Sequence, residues 1–144
     1  MLTSKAKYAL RAMIDLAAQE GEGPIFIADI SQRQDIPRRF LENILLELRK
    51  HGLVSSQRGK FGGYALARDP DEISFADVIR AIDGPLALTP CTSRTRYQRC
   101  EDCHEARCPL RGPLGQVRDA SAAILETTTL AGALKPRRRS PVKR

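Results

Sequence analysis

Apolar residues recur at helical spacing along most of this chain and alternate in one short stretch. Leu10, Met13, Ile14 and Ala17 lie about a turn apart, which predicts a first helix over residues 3–20 with Thr3 or Ser4 as its cap. Gly21-Glu22-Gly23-Pro24 ends it. Ile25-Phe26-Ile27 reads either as an edge strand or as the lead-in to a second helix over residues 28–34. A turn at Gln34-Asp35-Ile36 precedes a third helix that runs to Lys50, with Pro37 in its first turn and Asp35 as its expected cap. Phe40, Leu41, Ile44, Leu45 and Leu48 form its expected buried stripe, and Gly52 supplies the stop.

Alternation appears next. Leu53-Val54-Ser55-Ser56 and Tyr64-Ala65-Leu66-Ala67 flank a glycine-rich turn from Gln57 to Gly63, the pattern of a hairpin with a sharp tip. Ser74-Phe75-Ala76-Asp77 resembles a capping box opening a fourth helix, whose Phe75, Val78, Ile79 and Ile82 face the preceding elements. Beyond Gly84-Pro85 the periodicity vanishes until Leu110, after which Leu114, Val117, Ser121, Ile124, Leu125 and Thr128 mark a long amphipathic helix over residues 110–130.

The expected fold class is therefore mainly α with a small β-hairpin wing. A winged helix-turn-helix domain occupies residues 1–83, a loop 84–109, a long helix 110–131, and a basic tail 132–144 expected to be disordered. A long helix projecting from so small a domain has little of its own chain to cover. Its apolar stripe predicts pairing with a second copy, and packing back onto the first helix is the alternative.

Composition places the chain among ordinary globular domains: 144 residues, 42% hydrophobic and 28% charged. No apolar run approaches the roughly 18 residues of a membrane span, and the first residues lack a signal peptide's apolar core, so a cytoplasmic location is expected. The net charge of +7 is concentrated at the end. Lys135, Arg137, Arg138, Arg139, Lys143 and Arg144 leave 18 basic residues against 17 acids in the rest of the chain. Placement of the bases is more informative than their number. Arg38, Arg39, Glu42, Asn43, Arg49 and Lys50 fall opposite the stripe of the third helix, and arginine, asparagine and glutamate are side chains that pair with base edges. Arg58 and Lys60 at the hairpin tip can reach a minor groove or adjacent phosphates. Lys5 and Lys7 crowd the start of the first helix, where they oppose its dipole unless a phosphate lies nearby. Each feature alone matches a solvated face; a helix-turn-helix followed by a hairpin shifts the reading toward duplex DNA.

All four cysteines lie between Pro90 and Pro109, spaced C-x8-C-x2-C-x4-C as Cys91, Cys100, Cys103 and Cys108, with His104 among them. In a reducing compartment this density indicates a metal site or redox switch ahead of structural disulfides. Three chemistries suit it. Thiolates hold iron–sulfur clusters. Four sulfurs, or three with His104, also satisfy tetrahedral zinc. A bare thiol switch would draw on Arg99 and Arg107 to lower neighbouring pKa values. Catalysis finds no support: Gly59, Gly62 and Gly63 lie on a hairpin rather than ahead of a helix, Cys100-x2-Cys103 lacks a β-α-β setting, and His51 ends a helix beside Arg49 and Lys50.

The segments Leu2-Thr3-Ser4-Lys5-Ala6-Lys7-Tyr8-Ala9-Leu10, Leu41-Glu42-Asn43, Leu53-Val54-Ser55-Ser56-Gln57-Arg58-Gly59 with Gly62-Gly63-Tyr64, Val78-Ile79-Arg80-Ala81-Ile82 and Thr128-Thr129-Leu130 resemble the Rrf2 family of bacterial transcription regulators over about residues 1–130. The resemblance implies a homodimer on a near-palindromic operator, joined through the long helices. It assigns Arg38, Arg39, Glu42 and Asn43 to bases, Arg58 to the minor groove, and Ser4 and Lys5 to phosphate. It also implies a [2Fe–2S] or [4Fe–4S] cluster on three loop cysteines, making the chain a regulator, expected to repress, that senses iron, redox state or nitric oxide. Cys91 and Cys108 match the first and third ligands, while Cys100 and Cys103 compete for the middle place. Two departures stand out. The positions from which relatives draw a fourth ligand carry Lys7 and Arg111 here, which leaves the extra cysteine, or His104, as substitute. The remaining alternatives are a zinc- or thiol-controlled regulator and a metal-stabilised interaction adaptor.

Overall fold

The computed structural model describes residues 2–135. Helices α1 (Ser4–Ala18), α2 (Ile27–Gln34) and α3 (Arg38–Lys50) precede strands β1 (Val54–Gln57) and β2 (Gly63–Leu66), followed by α4 (Phe75–Asp83), α5 (Arg111–Thr127) and α6 (Leu130–Leu134). Short 3₁₀ turns at Pro90–Thr92 and Glu105–Arg107 punctuate the loop before α5. This is the mainly helical, hairpin-bearing architecture that the hydrophobic pattern predicts. Among the described residues, no helix is long and apolar enough to cross a membrane.

α1 is the hub. The Thr3 hydroxyl caps it by accepting from the Ala6 amide at 3.1 Å. Its buried face combines Ala6, Ala9 and Ala12 with Met13 and Leu16, and these small side chains let α2, α3, α4, α6 and β2 all approach closely. Asp15 is also buried there, held by Arg33 from α2 through Nε at 2.9 Å and Nη2 at 2.8 Å, with the Gln34 amide at 3.1 Å. The hydrogen bond from Arg33 to Asp15, more than any other influence, raises the guanidinium pKa and fixes the first two helices to each other.

The helix-turn-helix differs from expectation at two residues. Asp35 does not cap α3; it terminates α2 in the left-handed conformation at φ 51°, with its backbone amide donating to Ser31. Pro37 occupies the N-cap position of α3, which has no side-chain cap. Phe40 is not in the core. Leu41, Ile44, Leu45 and Leu48 are buried, whereas Phe40 is 59% exposed at the edge of their stripe. The far end of α3 follows the prediction. Gly52 at φ 72° lets the Leu53 amide donate back to Leu48 at 3.0 Å and its own amide to Arg49 at 3.0 Å, a Schellman closure.

β1 and β2 pair antiparallel, with Val54 opposite Leu66 and Gln57 opposite Gly63. Ile25 exchanges two 2.8 Å backbone bonds with Tyr64. The ambiguous Ile25-Phe26-Ile27 segment thus serves as a one-residue strand that passes directly into α2. Gly63 is required by this contact: a Cβ there would lie 2.4 Å from the Ile25 carbonyl oxygen.

α4 opens with the predicted capping box, Ser74 and Asp77 each bonding the other's backbone amide at 3.1 and 2.9 Å. α5 is shorter than the expected 110–131 helix and ends at Thr127. There the chain returns to the head: the Phe75 amide donates to Thr128 at 2.8 Å, the Leu130 amide donates to Ile73 at 3.0 Å, and Leu130 is fully buried. α6 then packs on α1, while α5 itself lies against α4 and the Pro90–Thr92 turn. The first residues of the expected tail, up to Leu134, are therefore helical, and 136–144 lie outside the described residues.

Candidate nucleic-acid interface and cysteine loop

The residues expected to meet DNA lie at the surface. Ser4, the first residue of α1, is exposed, and half-buried Lys5 contacts Glu47 of α3. This contact joins the start of α1 to the outer side of α3. Arg38 and Glu42, one turn apart, form a loose pair at 3.7 Å with both side chains about 60% exposed, and Arg39 and Asn43 are exposed beside them. The first turn of α3 carries no acid. Two arginines at the positive end of a helix dipole are unfavourable in isolation and become favourable when an anion docks there. On the wing, Arg58 and Lys60 are exposed, the latter with its ammonium 5.8 Å from the centre of the exposed Phe61 ring.

The loop between α4 and α5 brings some of the cysteines together. All four are free and half-buried. The Cys103 thiol is pushed up to about 11, first by its hydrogen bond to Cys100 and then by burial and the negative charge that Cys100 and Cys108 develop on ionising. Cys108 moves the other way. The Leu110 amide, chiefly, and the Arg111 amide and guanidinium beside its sulfur lower this thiol's pKa at the start of α5. Arg107, expected from the sequence to act this way, is replaced by Arg111 and the helix amides. Cys91 is outside this trio; its sulfur meets the Thr89 hydroxyl at 3.4 Å. His104 is exposed at the start of the second 3₁₀ turn. Among the described residues, no three His, Cys, Asp or Glu side chains converge as a ready metal shell. The donor chemistry, half-buried unpaired thiols in one loop, nevertheless fits a thiolate-bound metal or cluster.

Two sets of contacts tie this loop to its neighbours, and neither was legible from local sequence. Glu105 accepts from the Tyr97 hydroxyl and faces Arg111 at 3.9 Å, closing the segment that carries Cys100, Cys103 and Cys108. That hydrogen bond is the main cause of the raised Tyr97 pKa. Arg111 is thus engaged in holding the loop. On the other side, Asp119 of α5 takes Arg94 at 2.9 Å and Arg118 at 2.9 Å, and Arg118 also donates to the Thr92 carbonyl.

A helix-turn-helix with a wing, an exposed basic recognition helix and a thiol-bearing loop leading to a long arm define a winged-helix transcription regulator. The Rrf2 profile, described as an iron-dependent transcriptional regulator, matches residues 2–136, and the chain belongs to this family. It is 43% identical over 138 residues to an rrf2-like HTH-type transcriptional regulator of Rhodobacter capsulatus, covering 93% of this chain and 92% of that protein. It is 48% identical to the HTH-type transcriptional regulator IscR of Photorhabdus laumondii, over 71% of this chain but 62% of that protein's length. Among solved structures, CymR, the global cysteine regulator of B. subtilis, superposes with a TM-score of 0.75 at 34% identity, covering 92% of this chain and 95% of CymR. IscR of T. potens gives 0.73 at 32% identity, covering 94% and 86%. These relatives are regulators, not enzymes, and regulators of this family bind DNA.

Proposed function

We propose that the chain is a sequence-specific, cytoplasmic DNA-binding repressor whose operator affinity is set by an iron–sulfur cluster in the α4–α5 loop. In this reading it acts as a homodimer joined through α5, with Arg38, Arg39, Glu42 and Asn43 at bases, Arg58 and Lys60 at the wing contact, and Ser4 and Lys5 at phosphate. Cys91, Cys103 and Cys108 would hold the cluster, with Cys100 completing the set and His104 as its substitute. When bound, a [2Fe–2S] or [4Fe–4S] cluster supplies redox and nitric-oxide sensitivity to the loop.

The observation that carries the reading is the position of Cys108. This cysteine lies two residues before Leu110, the N-cap of α5, while the loop that bears it starts where α4 ends. A ligand that draws Cys108 toward Cys103 and Cys91 must reposition the start of the arm relative to the head. Half-sites read by a dimer lie about one helical turn apart, so a small change in arm placement alters operator affinity. Support for pairing through α5 comes from Leu110, Val117 and Ile124, which recur every seven residues and are 64%, 45% and 64% exposed.

Anaerobic purification with absorption spectra and iron, sulfide and zinc analysis tests the cofactor. Visible absorption with acid-labile sulfide is the expected result; one colourless zinc per chain overturns it. Equal operator affinity for cluster-loaded and cluster-free protein would refute the switch. A second reading is favoured by the free thiols of Cys100 and Cys103, separated by two residues and close enough for Cys100 to raise the Cys103 pKa: oxidation would join them as a disulfide, with two protons and two electrons passing to an oxidant such as a peroxide. Loss of two titratable thiols on oxidation of the metal-free chain, with a matching change in operator affinity, would select it.

A further inference from the structure

Phe40 is the residue of α3 that the fold treats most unexpectedly. A phenylalanine in the first turn of a helix with a good apolar stripe should join that stripe, yet it is 59% exposed while its neighbour Leu41 is fully buried. A single exposed ring is ordinary, but Phe40 shares a groove with exposed Leu46 and the Tyr8 ring, and an apolar patch of that kind is better explained by a contact made elsewhere. Phe40 lines an open groove of about 590 Å³ between α1 and α3 together with Ser4, Lys5, Tyr8, Asn43 and Lys50. The Tyr8 ring is backed by the Arg11 guanidinium at 5.7 Å. Glu47, the acid in this groove, is engaged by Lys5. The groove therefore has a cationic, hydroxyl-bearing side suited to a phosphate strand and an amide, Asn43, suited to a base edge. Phe40 lines the same groove.

We propose that Phe40 is a specificity-determining residue that reads a thymine in each operator half-site by packing its ring on the thymine C5-methyl group. This rests on the DNA-reading role proposed above for α3. Among the groups displayed in a major groove the thymine methyl is the apolar one, and an exposed ring flanked by polar readers is complementary to it. Hydrogen-bonding neighbours fix the strand and register, and the ring discriminates the base step nearest to α1.

The test uses the full-length protein and a duplex obtained by selection from random-sequence DNA, with each thymine replaced in turn by uracil, which removes the methyl and keeps the pairing edge. Loss of one methyl contact is expected to weaken wild-type binding about fourfold at one thymine per half-site. Phe40→Ala should bind the unmodified duplex more weakly and lose that sensitivity, while Phe40→Leu, which keeps an apolar reader, should retain part of it. Because Phe40 is exposed, the variants should keep the wild-type circular dichroism. Wild-type binding indifferent to uracil at every position overturns the proposal, as does undiminished uracil sensitivity in Phe40→Ala. Failure to select any duplex instead refutes the DNA-reading role itself and removes the proposal with it.

Discussion

Arg94, three residues after Cys91, donates to Asp119 of α5 across 2.9 Å. The same carboxylate takes Arg118, whose guanidinium also holds the Thr92 carbonyl, so one helical acid grips both sides of the loop's first turn. Thr92 and Ser93 are buried beneath this grip although they lie in a loop. The arm and the segment beginning at Cys91 are therefore mechanically joined, independently of the joint that Cys108 makes at the start of α5.

Asp119→Asn should uncouple them. The Arg94 and Asp119 side chains are 72% and 50% exposed, so water screens the pair and thermal stability should barely change. The effect should appear in coupling: the ratio of operator affinities between ligand-loaded and metal-free protein should fall toward one, from an allosteric range of about 5- to 150-fold. Arg118, chiefly, and Arg94 lower the Asp119 pKa. Its stabilising contribution is thus complete at neutral pH and is lost as pH falls through the lowered folded value. Isothermal titrations on the variant, and on the wild type from neutral to acid pH, check both points.

Asp15→Ala removes the acceptor that holds Arg33 and Gln34 to α1. With Asp15 almost fully buried and Arg33 about a third exposed, the released cation can find water, so the cost should be about 1–3 kcal/mol rather than that of a stranded buried charge. Urea denaturation should show a lower midpoint with an unchanged slope.

Ile124→Asp places a charge on the exposed seam of α5. Because no residue of α5 is buried within one chain, the fold should survive with native circular dichroism. Sedimentation should show a monomer for the variant and, as proposed, a dimer for the wild type, and operator affinity should drop with it.

Arg58→Ala tests the wing. Loss of one phosphate or groove contact should cost about 1–3 kcal/mol and reduce the salt slope of binding by about one, read by fluorescence anisotropy at several ionic strengths. A variant with wild-type affinity and slope would remove the wing from the interface and favour a protein-binding role for this domain.

Much of the fold was legible because local rules and tertiary packing agree. The Thr3 cap, the Ser74–Asp77 capping box, the Gly52 closure and the Leu41-Ile44-Leu45-Leu48 stripe each depend on residues within a turn or two of one another. Asp35 and Phe40 were misplaced because spacing leaves their roles degenerate. An aspartate between two helices can start one or end the other, and a residue at the edge of a stripe faces inward or outward according to what packs beside it. The apolar stripe of the last long helix was legible as a pattern, and within one chain Leu114 and Leu125 of it are half-buried while Leu110, Val117 and Ile124 stay exposed.

The sequence by itself determined the helical periods, the hairpin, the family and the inventory of thiols. Tertiary structure decided which distant groups meet: Asp15 with Arg33, Lys5 with Glu47, Arg94 and Arg118 with Asp119, Glu105 with Tyr97, and Cys103 with Cys100 and Cys108. It also decided that the Cys91 sulfur meets the Thr89 hydroxyl and that Cys108 lies just before the start of α5. The reason is physical. Periodicity records which side of an element avoids water, a property of each segment alone, whereas charge pairs and thiol contacts depend on the path by which the folded chain brings separate segments within hydrogen-bonding reach.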